Sequence, residues 1–428
     1  MAYVELHCHS AYSFLDGASH PEELAAQAAE LGYGALGLTD HDGVYGSLEF
    51  AHAAKAFGVR PITGAEATLR ESPHGQSPHG SEAAPPSRRL DGSHVTLLVE
   101  SPRGYANLCR LLTAAHAGTR PKPTDPVPPA LDRHVLASHH EGLICLSGCA
   151  RDGLAVRNAN GAAELAAVFG RDRFFVELQR PYERGDARRN NRLRQLAETI
   201  GVQTVATGNV HAHNRRRALL QDAMVAIRHR GSLEAAEQER RGNHECVLMT
   251  PDQVFERFPQ DREAVERTAD LAERLEFDLT QELGYRYPDF SDRDDPAIAE
   301  LTRVCNRAFE ARYPSNTVLQ GQARARLDEE LALIDELGLA GFFLLHWEVL
   351  ELAAEVAREV RGRESPRHSL PPGRGRGSSV GSLVCYLTGL SHVDPVEAGL
   401  SLGRFLNREL DSVPDIDLDF PRDIREKL

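Results

Sequence analysis

The chain has 428 residues, of which 41% are hydrophobic, and 63 acidic against 49 basic side chains give a formal net charge of −14. This length suits two or three domains, and seven cysteines without paired spacing argue against a disulfide framework. The start MAYVELH lacks a basic region and an apolar stretch, and no apolar run approaches the ~18 residues that span a bilayer. We therefore expect a cytoplasmic protein without membrane contact, which touches nucleic acid only through local basic patches.

Short apolar segments in the first half of the chain are predicted to be strands. Nearly all of them end in a residue of a type that binds metal ions. Val4 to Ser10 delivers two imidazoles to one face. LGLTDHD ends in a carboxylate and an imidazole, ITGAE ends in a carboxylate, and a cysteine and the pair Asn209 and His211 follow later segments. A lone histidine is more often a surface or core residue than a ligand, but this recurrence predicts a shared metal site.

Helical patterns lie between these strands, each closed by glycine or a turn. They are Pro21 to Leu31, Ser47 to Phe57, Tyr105 to His116 and Asp186 to Ile200. Alternating strands and helices predict parallel pairing, with the site at one mouth of a barrel. His94 fits this pattern less well, because it precedes its predicted strand, Val95 to Val99.

Three stretches of unusual composition interrupt these patterns. Residues 71–93 carry two Ser-Pro-His-Gly copies and are predicted to be a disordered surface insertion rather than a metal tract. Arg120 to Pro129 is a proline-rich connector. Arg361 to Arg376 is rich in arginine and broken by proline, which predicts a mobile loop with Arg374 and Arg376 as candidate phosphate contacts.

Helices are also predicted between residue 216 and about residue 283, and again further on. Arg215-Arg216-Arg217 is a solvated helix face or a contact to a nucleic-acid backbone. Arg324 to Gly338 and Ala340 to Arg361 read as paired amphipathic helices. The dense apolar patch FFLLHW in the second of them is expected to be core rather than a partner site.

The run Pro414-Asp-Ile-Asp-Leu-Asp-Phe420 carries the strongest chemical signal. A strand alternates faces, so Asp415, Asp417 and Asp419 share one side while the apolar residues anchor the other. Such carboxylates suit a pair of divalent ions about 3.5–4 Å apart, as in phosphoryl transfer. A solvated acidic edge strand fits these seven residues equally well.

A glycine-rich segment lies about forty residues before that run. GRGRGSSVGS, which begins at Gly373, precedes the apolar Leu383 to Leu390. A glycine-rich turn that opens into a helix offers backbone N–H groups and hydroxyls that suit phosphate, whereas a flexible linker is the alternative.

The ordered motifs GRGSSVGSLVCYLTGL, VDP, GRFLN and PDIDLDF resemble the start of the palm in the bacterial C-family polymerases, the DNA polymerase III alpha subunit family. Roughly residues 1–215 resemble the polymerase and histidinol phosphatase (PHP) domain, a distorted β/α barrel that holds up to three metal ions. ATGNVH and DAMVAIRHR resemble the error-prone branch of the family, with the ordinary replicative alpha subunit as the alternative.

The resemblance implies site residues, cofactors and partners. Matching the PHP motifs gives as metal-facing residues His7, His9, Asp16, His41, Glu66, His94, Cys149, Asn209 and His211. This ligand mixture favours zinc, manganese or iron. In the palm, Asp417 and Asp419 are the implied catalytic residues with magnesium, while Arg376, Gly377 and Ser378 would bind the nucleotide. The implied partners are primer-template DNA and deoxynucleoside triphosphates, and other mutagenesis or replication proteins are possible further ones.

One position departs from the PHP pattern, which usually has aspartate where this chain has Asn209. A neutral amide oxygen is a weaker ligand than a carboxylate, so the departure puts catalysis in doubt more than metal binding. Phosphoesterase or 3′–5′ exonuclease activity therefore competes with a structural metal module that performs no chemistry.

The predicted fold class is α/β, with a PHP-type distorted barrel at 1–215, a helical connector at 216–283 and an incomplete α+β polymerase palm at 284–428. Family members carry a third carboxylate on a strand well after PDIDLDF. We therefore expect a DNA-directed DNA polymerase by family whose portion here does not extend a primer alone.

Overall fold

The computed structural model describes residues 2–70, 92–120, 127–237, 239–281, 296–315, 317–362, 374–408 and 414–428. They form two compact units, Met1–Gly284 and Tyr285–Leu428. Most of the predicted insertion (71–91), part of the proline-rich connector (121–126) and most of the arginine-rich loop (363–373) lie outside the described residues. The domain bounds at 215 and 283 stay predictions.

The first unit is built on a curled six-stranded sheet in the order β1 to β6. Its strands are β1 (Ala35–Leu38), β2 (Arg60–Arg70), β3 (Gly92–Val99), β4 (Leu143–Leu146), β5 (Phe174–Gln179) and β6 (Gln203–Thr207). The N-terminal segment joins the two edges, because Glu5 bridges to Leu36 of β1 and Cys8 bridges to Val210 after β6. The predicted distorted α/β barrel is confirmed.

Ten helices accompany the sheet in the described part of this unit. They are α1 (Pro21–Glu30), α2 (Ser47–Ala56), α3 (Pro102–His116), α4 (Arg133–Ser138), α5 (Leu154–Arg157), α6 (Ala159–Phe169), α7 (Asp186–Ile200), α8 (Ala218–Arg228), α9 (Pro251–Arg257) and α10 (Arg262–Arg274). The four helices predicted between the strands are present, and α7 has the predicted bounds because Gly201 ends it with a φ of +72°.

The prediction of parallel pairing throughout is wrong at β3. β1 pairs parallel with β2, and β4, β5 and β6 are parallel to one another, but β3 is antiparallel to both β2 and β4. The start of β3 therefore lies at the mouth where the parallel strands end. This explains His94, which is inside β3 near its start, and Glu66 lies within β2 instead of ending it.

The helices after residue 216 pack on the barrel within the first unit. The Thr268 hydroxyl of α10 accepts a hydrogen bond from the Val4 N–H at 3.1 Å. Arg60 of β2 donates to the carbonyls of Ala272 and Leu275 at 2.6 Å. Leu271 and Leu275 share a buried apolar cluster with one face of the sheet.

The described part of the second unit contains three long helices and a small two-stranded sheet. The helices are α11 (Ala297–Arg312), α12 (Val318–Glu336) and α13 (Ala340–Arg361), followed by β7 (Arg374–Arg376), a 3₁₀ turn (Gly377–Gly381), α14 (Leu383–Leu387) and β8 (Asp417–Asp419). Phe342, Phe343 and Leu344 are buried in its core, as predicted for the apolar patch.

Within the described residues, no single helix is long and apolar enough to cross a bilayer, and only α12 and α13, bent by 112°, meet that test as a pair.

Candidate metal centre and palm site

The N-terminal segment brings two histidines to the barrel mouth. It is tied to the end of β6, because the Val210 N–H donates to His7 O at 2.9 Å and the His9 N–H donates to Val210 O at 2.8 Å. The buried Glu5 carboxylate strengthens this join by accepting from the N–H groups of His7 and Gly208. Both imidazoles are fully buried in the mouth.

The contacts of His7 fix which of its nitrogens can bind a metal. Nδ1 lies 2.7 Å from Glu177 Oε1 and must donate to it, because a carboxylate only accepts. Nε2 lies 2.8 Å from Glu66 Oε2. Burial opposes a charge on the ring, but Glu177 and Glu66 outweigh it and raise the pKa of His7 well above its ordinary value. These carboxylates require positive charge at His7, which a metal on Nε2 would supply.

Glu66 faces ligands with both of its oxygens. Oε2 lies 2.8 Å from His7 Nε2 and 4.0 Å from His9 Nε2, while Oε1 lies 2.8 Å from His41 Nδ1 and 2.7 Å from His94 Nδ1. Burial raises the pKa of this carboxyl, but the His94 and His41 charges outweigh it and hold the pKa well below its ordinary range. Glu66 is thus an ionised carboxylate shared by two donor sets.

Several donor atoms at the mouth have no hydrogen-bond partner although they are buried. Among the described residues, they include His9 Nε2, His94 Nε2 and Asn209 Oδ1. Unpaired buried polar atoms are rare in proteins unless something unseen satisfies them. Since these atoms are all metal-ligand types and converge, the residues present fit divalent metal ions.

Beside the two donor sets that share Glu66, Asp16, His41 and His211 form a third cluster at the mouth, which we call the third corner. Asp16 Oδ2 lies 3.0 Å from His41 Nε2 and 3.3 Å from His211 Nε2. Gly17 holds the loop close, since a Cβ there would meet Ser10 O at 1.9 Å. Burial and the neighbouring Arg241 charge lower the pKa of His211 to about 4, so this ring is neutral, as a metal ligand must be.

The two remaining predicted ligands, Cys149 and Asn209, line the same cleft. Cys149 follows β4, and its sulfur accepts from the Asp152 N–H at 3.3 Å. Asn209 has a φ of +48°, a left-handed conformation that asparagine tolerates better than most residues. The structure therefore brings all nine predicted metal-facing residues into one region, while their role as ligands stays a prediction.

Sequence reasoning missed three residues of this region. Glu177 supports His7, and its signal was a carboxylate within the apolar strand FFVELQ. Asp40 accepts from the hydroxyls of Ser10 and Ser13 at 2.7 Å, which fixes the loop after His9. Arg241 contacts His211, and no local pattern pointed to it.

All the predicted metal-facing residues except His7 line a cleft of about 1140 Å³. Exposed aromatic side chains line its rim, namely Phe14 (81% exposed), Tyr45 (61%) and Tyr12 (41%). Arg151, Arg228 and Arg230 line the same cleft. The opening thus combines ring faces with positive charge.

The predicted palm residues lie on and beside the small two-stranded sheet of the second unit. β7 and β8 pair antiparallel, with Arg376 opposite Asp417. The alternation predicted for the PDIDLDF run is observed, because Ile416 is buried while Asp415, Asp417 and Asp419 are exposed. Arg376 Nε lies 3.2 Å from Asp419 Oδ2 and 4.0 Å from Asp417 Oδ2. The structure thus brings Arg376 beside Asp417 and Asp419, while the catalytic and nucleotide-binding roles stay predictions.

The expectation of a helix start with free N–H groups after the glycine-rich turn is wrong. The N–H groups of Leu383 and Val384 donate to the buried Glu330 carboxylate at 2.9 and 3.0 Å, and Cys385 N–H donates to Ser382 Oγ. α14 also ends at Leu387, three residues before the predicted apolar run ends. Gly377, with a φ of +78°, and the exposed Ser378 remain as the phosphate-type positions.

Comparison with known proteins identifies both regions. Residues 5–181 match the PHP domain family, and residues 299–428 match the family described as bacterial DNA polymerase III alpha NTPase domain. The barrel with its histidine and carboxylate mouth is thus a PHP domain.

Relatives align with the whole chain. Error-prone DNA polymerases of Symbiobacterium thermophilum and Mycobacterium bovis are 35% and 36% identical to it, and DNA polymerase III subunit alpha of Treponema pallidum is 30% identical. The chain spans 38%, 38% and 35% of their respective lengths. The chain thus carries a region that matches the PHP domain and a region that matches the bacterial DNA polymerase III alpha family, and it is similar over its whole length to polymerases of these relatives.

Solved structures resemble the chain more distantly. A protein described as a metal-dependent phosphoesterase from Bifidobacterium adolescentis has a TM-score of 0.36 at 13% identity, over 49% of this chain and 88% of that one. An amidohydrolase from Chromobacterium violaceum has the same TM-score and coverage at 17% identity.

Proposed function

We propose that the chain is the N-terminal part of an error-prone DNA polymerase, which adds deoxynucleotides to a primer on a DNA template. The observation that carries this proposal is the alignment of the whole chain with the error-prone relatives, across both matched regions. The replicative alpha subunit is the alternative, since one such relative aligns at 30%. The partners are then primer-template DNA, deoxynucleoside triphosphates and other mutagenesis or replication proteins, in the cytoplasm.

In the second unit, Asp417 and Asp419 are the proposed catalytic pair and would hold magnesium. Their exposure on one face of β8 leaves both carboxylates open to solvent and ligand. Magnesium supplies charge neutralisation at a triphosphate and activation of a primer hydroxyl. Gly377 and Ser378 would hold the triphosphate, and Arg376, which pairs with Asp419, would contribute a further phosphate contact.

For the barrel we infer a metal-dependent phosphoesterase. Imidazole, thiolate and carboxylate donors in one cleft favour zinc, manganese or iron, which polarise a phosphoryl oxygen when bound. Among the residues of the chain, Glu177 orients His7, Glu66 spans two donor sets, and burial of the mouth strengthens each electrostatic contact.

The rim of the cleft favours the end of a single-stranded nucleic acid as substrate. Stacking on exposed aromatic rings and contact of arginine with phosphate are the two ways in which proteins bind single strands without sequence preference. Tyr12, Phe14 and Tyr45 supply the rings, and Arg151, Arg228 and Arg230 supply the charge. A proofreading or end-trimming role beside a polymerase follows from this substrate.

The test is hydrolysis of a single-stranded oligonucleotide labelled at its 5′ end, incubated with the purified chain and Mn²⁺ or with chelator. We expect trimming that depends on metal. Glu66 is a proposed ligand, so Glu66→Gln should lower the trimming rate by more than about 100-fold, which is the upper end for loss of a residue that only supports a ligand. Glu164→Gln is the matched control, because Glu164 is an exposed partner of Arg133 outside the cleft.

Two other outcomes decide against this function. Metal-loaded protein that trims no oligonucleotide would indicate the structural metal module, which the missing charge at Asn209 favours. Trimming that survives Glu66→Gln would place the chemistry elsewhere.

A further inference from the structure

Arg241 reaches into the barrel mouth from the loop after α8. Its guanidinium Nη2 contacts His211 Nε2 and lies 3.6 Å from Asp16 Oδ2. Its side chain is 14% exposed, which is low for an arginine. A guanidinium cannot be deprotonated in a protein. A permanent cation therefore sits at the Asp16–His41–His211 corner.

The hydrogen bonds of His211 show that this corner needs a cation. His211 Nδ1 lies 2.8 Å from the carbonyl oxygen of Asn209 and must donate to it. The Arg241 guanidinium can only donate, so His211 Nε2, which it contacts, must accept with a lone pair, and this nitrogen faces Asp16 Oδ2 at 3.3 Å. Two acceptors at this distance repel each other unless a donor or a metal ion lies beside them, and the Arg241 N–H group is such a donor.

The two donor sets that share Glu66 differ from this corner. Among the described residues, His9 Nε2 in one Glu66 set and His94 Nε2 in the other are buried ring nitrogens without a hydrogen-bond partner. At the third corner, Arg241 contacts His211 Nε2, and Asp16 Oδ1 accepts from Gln221 at 3.4 Å. Each Glu66 set thus keeps one buried ring nitrogen without a protein partner, whereas at the third corner a protein side chain contacts His211 Nε2.

We propose that the Arg241 guanidinium takes the place of a metal ion at the Asp16–His41–His211 corner, so that metal binds only at the two sets that share Glu66. This inference rests on the proposed metal centre of the barrel. Arginine stays protonated throughout the accessible pH range, so its charge, unlike that of an ion, cannot be removed by a chelator. The mouth then keeps one fixed positive charge whatever its metal content.

The test is the metal content per chain, measured by mass spectrometry after equilibration with Mn²⁺ or Zn²⁺ and removal of free ion. Arg241→Met, which keeps bulk but removes the charge, is expected to bind one more equivalent than wild type. Asp16→Asn is expected to leave the wild-type content unchanged but to remove the added equivalent from Arg241→Met. Arg240→Met is the control, because the Arg240 side chain pairs with Asp222 at 3.3 Å and does not line the cleft.

Equal metal content in wild type and Arg241→Met would overturn the proposal, as would loss of one equivalent in Asp16→Asn alone. Because Asp16→Asn is measured in the wild-type background, the proposal stays testable if Arg241→Met does not fold. Failure of the phosphoesterase is a separate result, since an oligonucleotide assay can be negative while the metal contents differ as expected.

Discussion

Glu330 is a fully buried carboxylate beneath the glycine-rich turn of the second unit, and its replacement by alanine tests how that turn is held. It accepts from Ser382 Oγ at 2.9 Å, from the N–H groups of Leu383 and Val384, and from Arg326 Nε at 3.0 Å. Arg326 in turn donates to the carbonyls of Gly381 and Leu400. Glu330 thus joins α12 to the start of α14, and Arg326 extends the join to Gly381 before α14 and to Leu400 after it.

Glu330→Ala leaves these donors and the half-buried Arg326 charge without their acceptor. Removing one partner of a buried ion pair costs about 3–5 kcal/mol, and each unsatisfied donor alone costs about 1–3 kcal/mol. We expect the free energy of unfolding of the second unit to fall by about 3–5 kcal/mol, a large part of the ordinary stability of a domain. Glu330→Gln keeps the shape of the side chain but turns an NH₂ group toward a donor. Its free energy of unfolding should therefore lie between those of wild type and Glu330→Ala.

The assay is urea unfolding followed by fluorescence of Trp347, the one tryptophan of the chain, which packs against the core of the second unit. Glu336→Ala is the control on the same helix, because Glu336 makes only an exposed ion pair with Arg408, of a kind that contributes about 0–1 kcal/mol. A Glu330→Ala protein within about 1 kcal/mol of wild type would refute the reasoning.

Three further outcomes are expected. Chelation should lower the melting temperature of the barrel, because metal that binds only the folded state stabilises it; the same melting curve with and without chelator would count against the centre. Asn209→Asp should raise metal occupancy or the phosphoesterase rate, since it restores the negative charge of the ligand. If wild type already hydrolyses fast and the substitution leaves the rate unchanged, the amide of Asn209 is an adequate ligand. Asp417→Ala or Asp419→Ala should weaken magnesium-dependent binding of a fluorescent nucleotide triphosphate while leaving the barrel metal in place, and undiminished binding in both would show that the nucleotide site lies elsewhere.

Local patterns predicted the elements whose structure is set locally. α13 has its predicted bounds, Ala340 to Arg361, and the alternation around Asp417 and Asp419 is observed, because helix and strand periods are written directly in the sequence. β1, β4 and β6 were predicted for the same reason, whereas the predicted strand Val4 to Ser10 is wrong, because this segment makes only isolated bridges at Glu5 and Cys8.

The direction of β3 could not be predicted in this way, since pairing between strands is set by contacts distant in sequence. The predicted start of β3 after His94 and the predicted end of β2 at Glu66 were both wrong for that reason. Arg241 and Glu330 were missed on similar grounds. Arg241 acts through His211, thirty residues away, and Glu330 acts through Val384, more than fifty residues away.

The central claim is that Glu66 is shared by two metal subsites at the barrel mouth. An anomalous difference map from crystals of the chain grown with Mn²⁺ tests it most directly. We expect one peak between Glu66, His7 and His9 and another between Glu66 and His94, each at about 2.0–2.3 Å from its ligand atoms. A map without a peak beside either oxygen of Glu66 would contradict the claim.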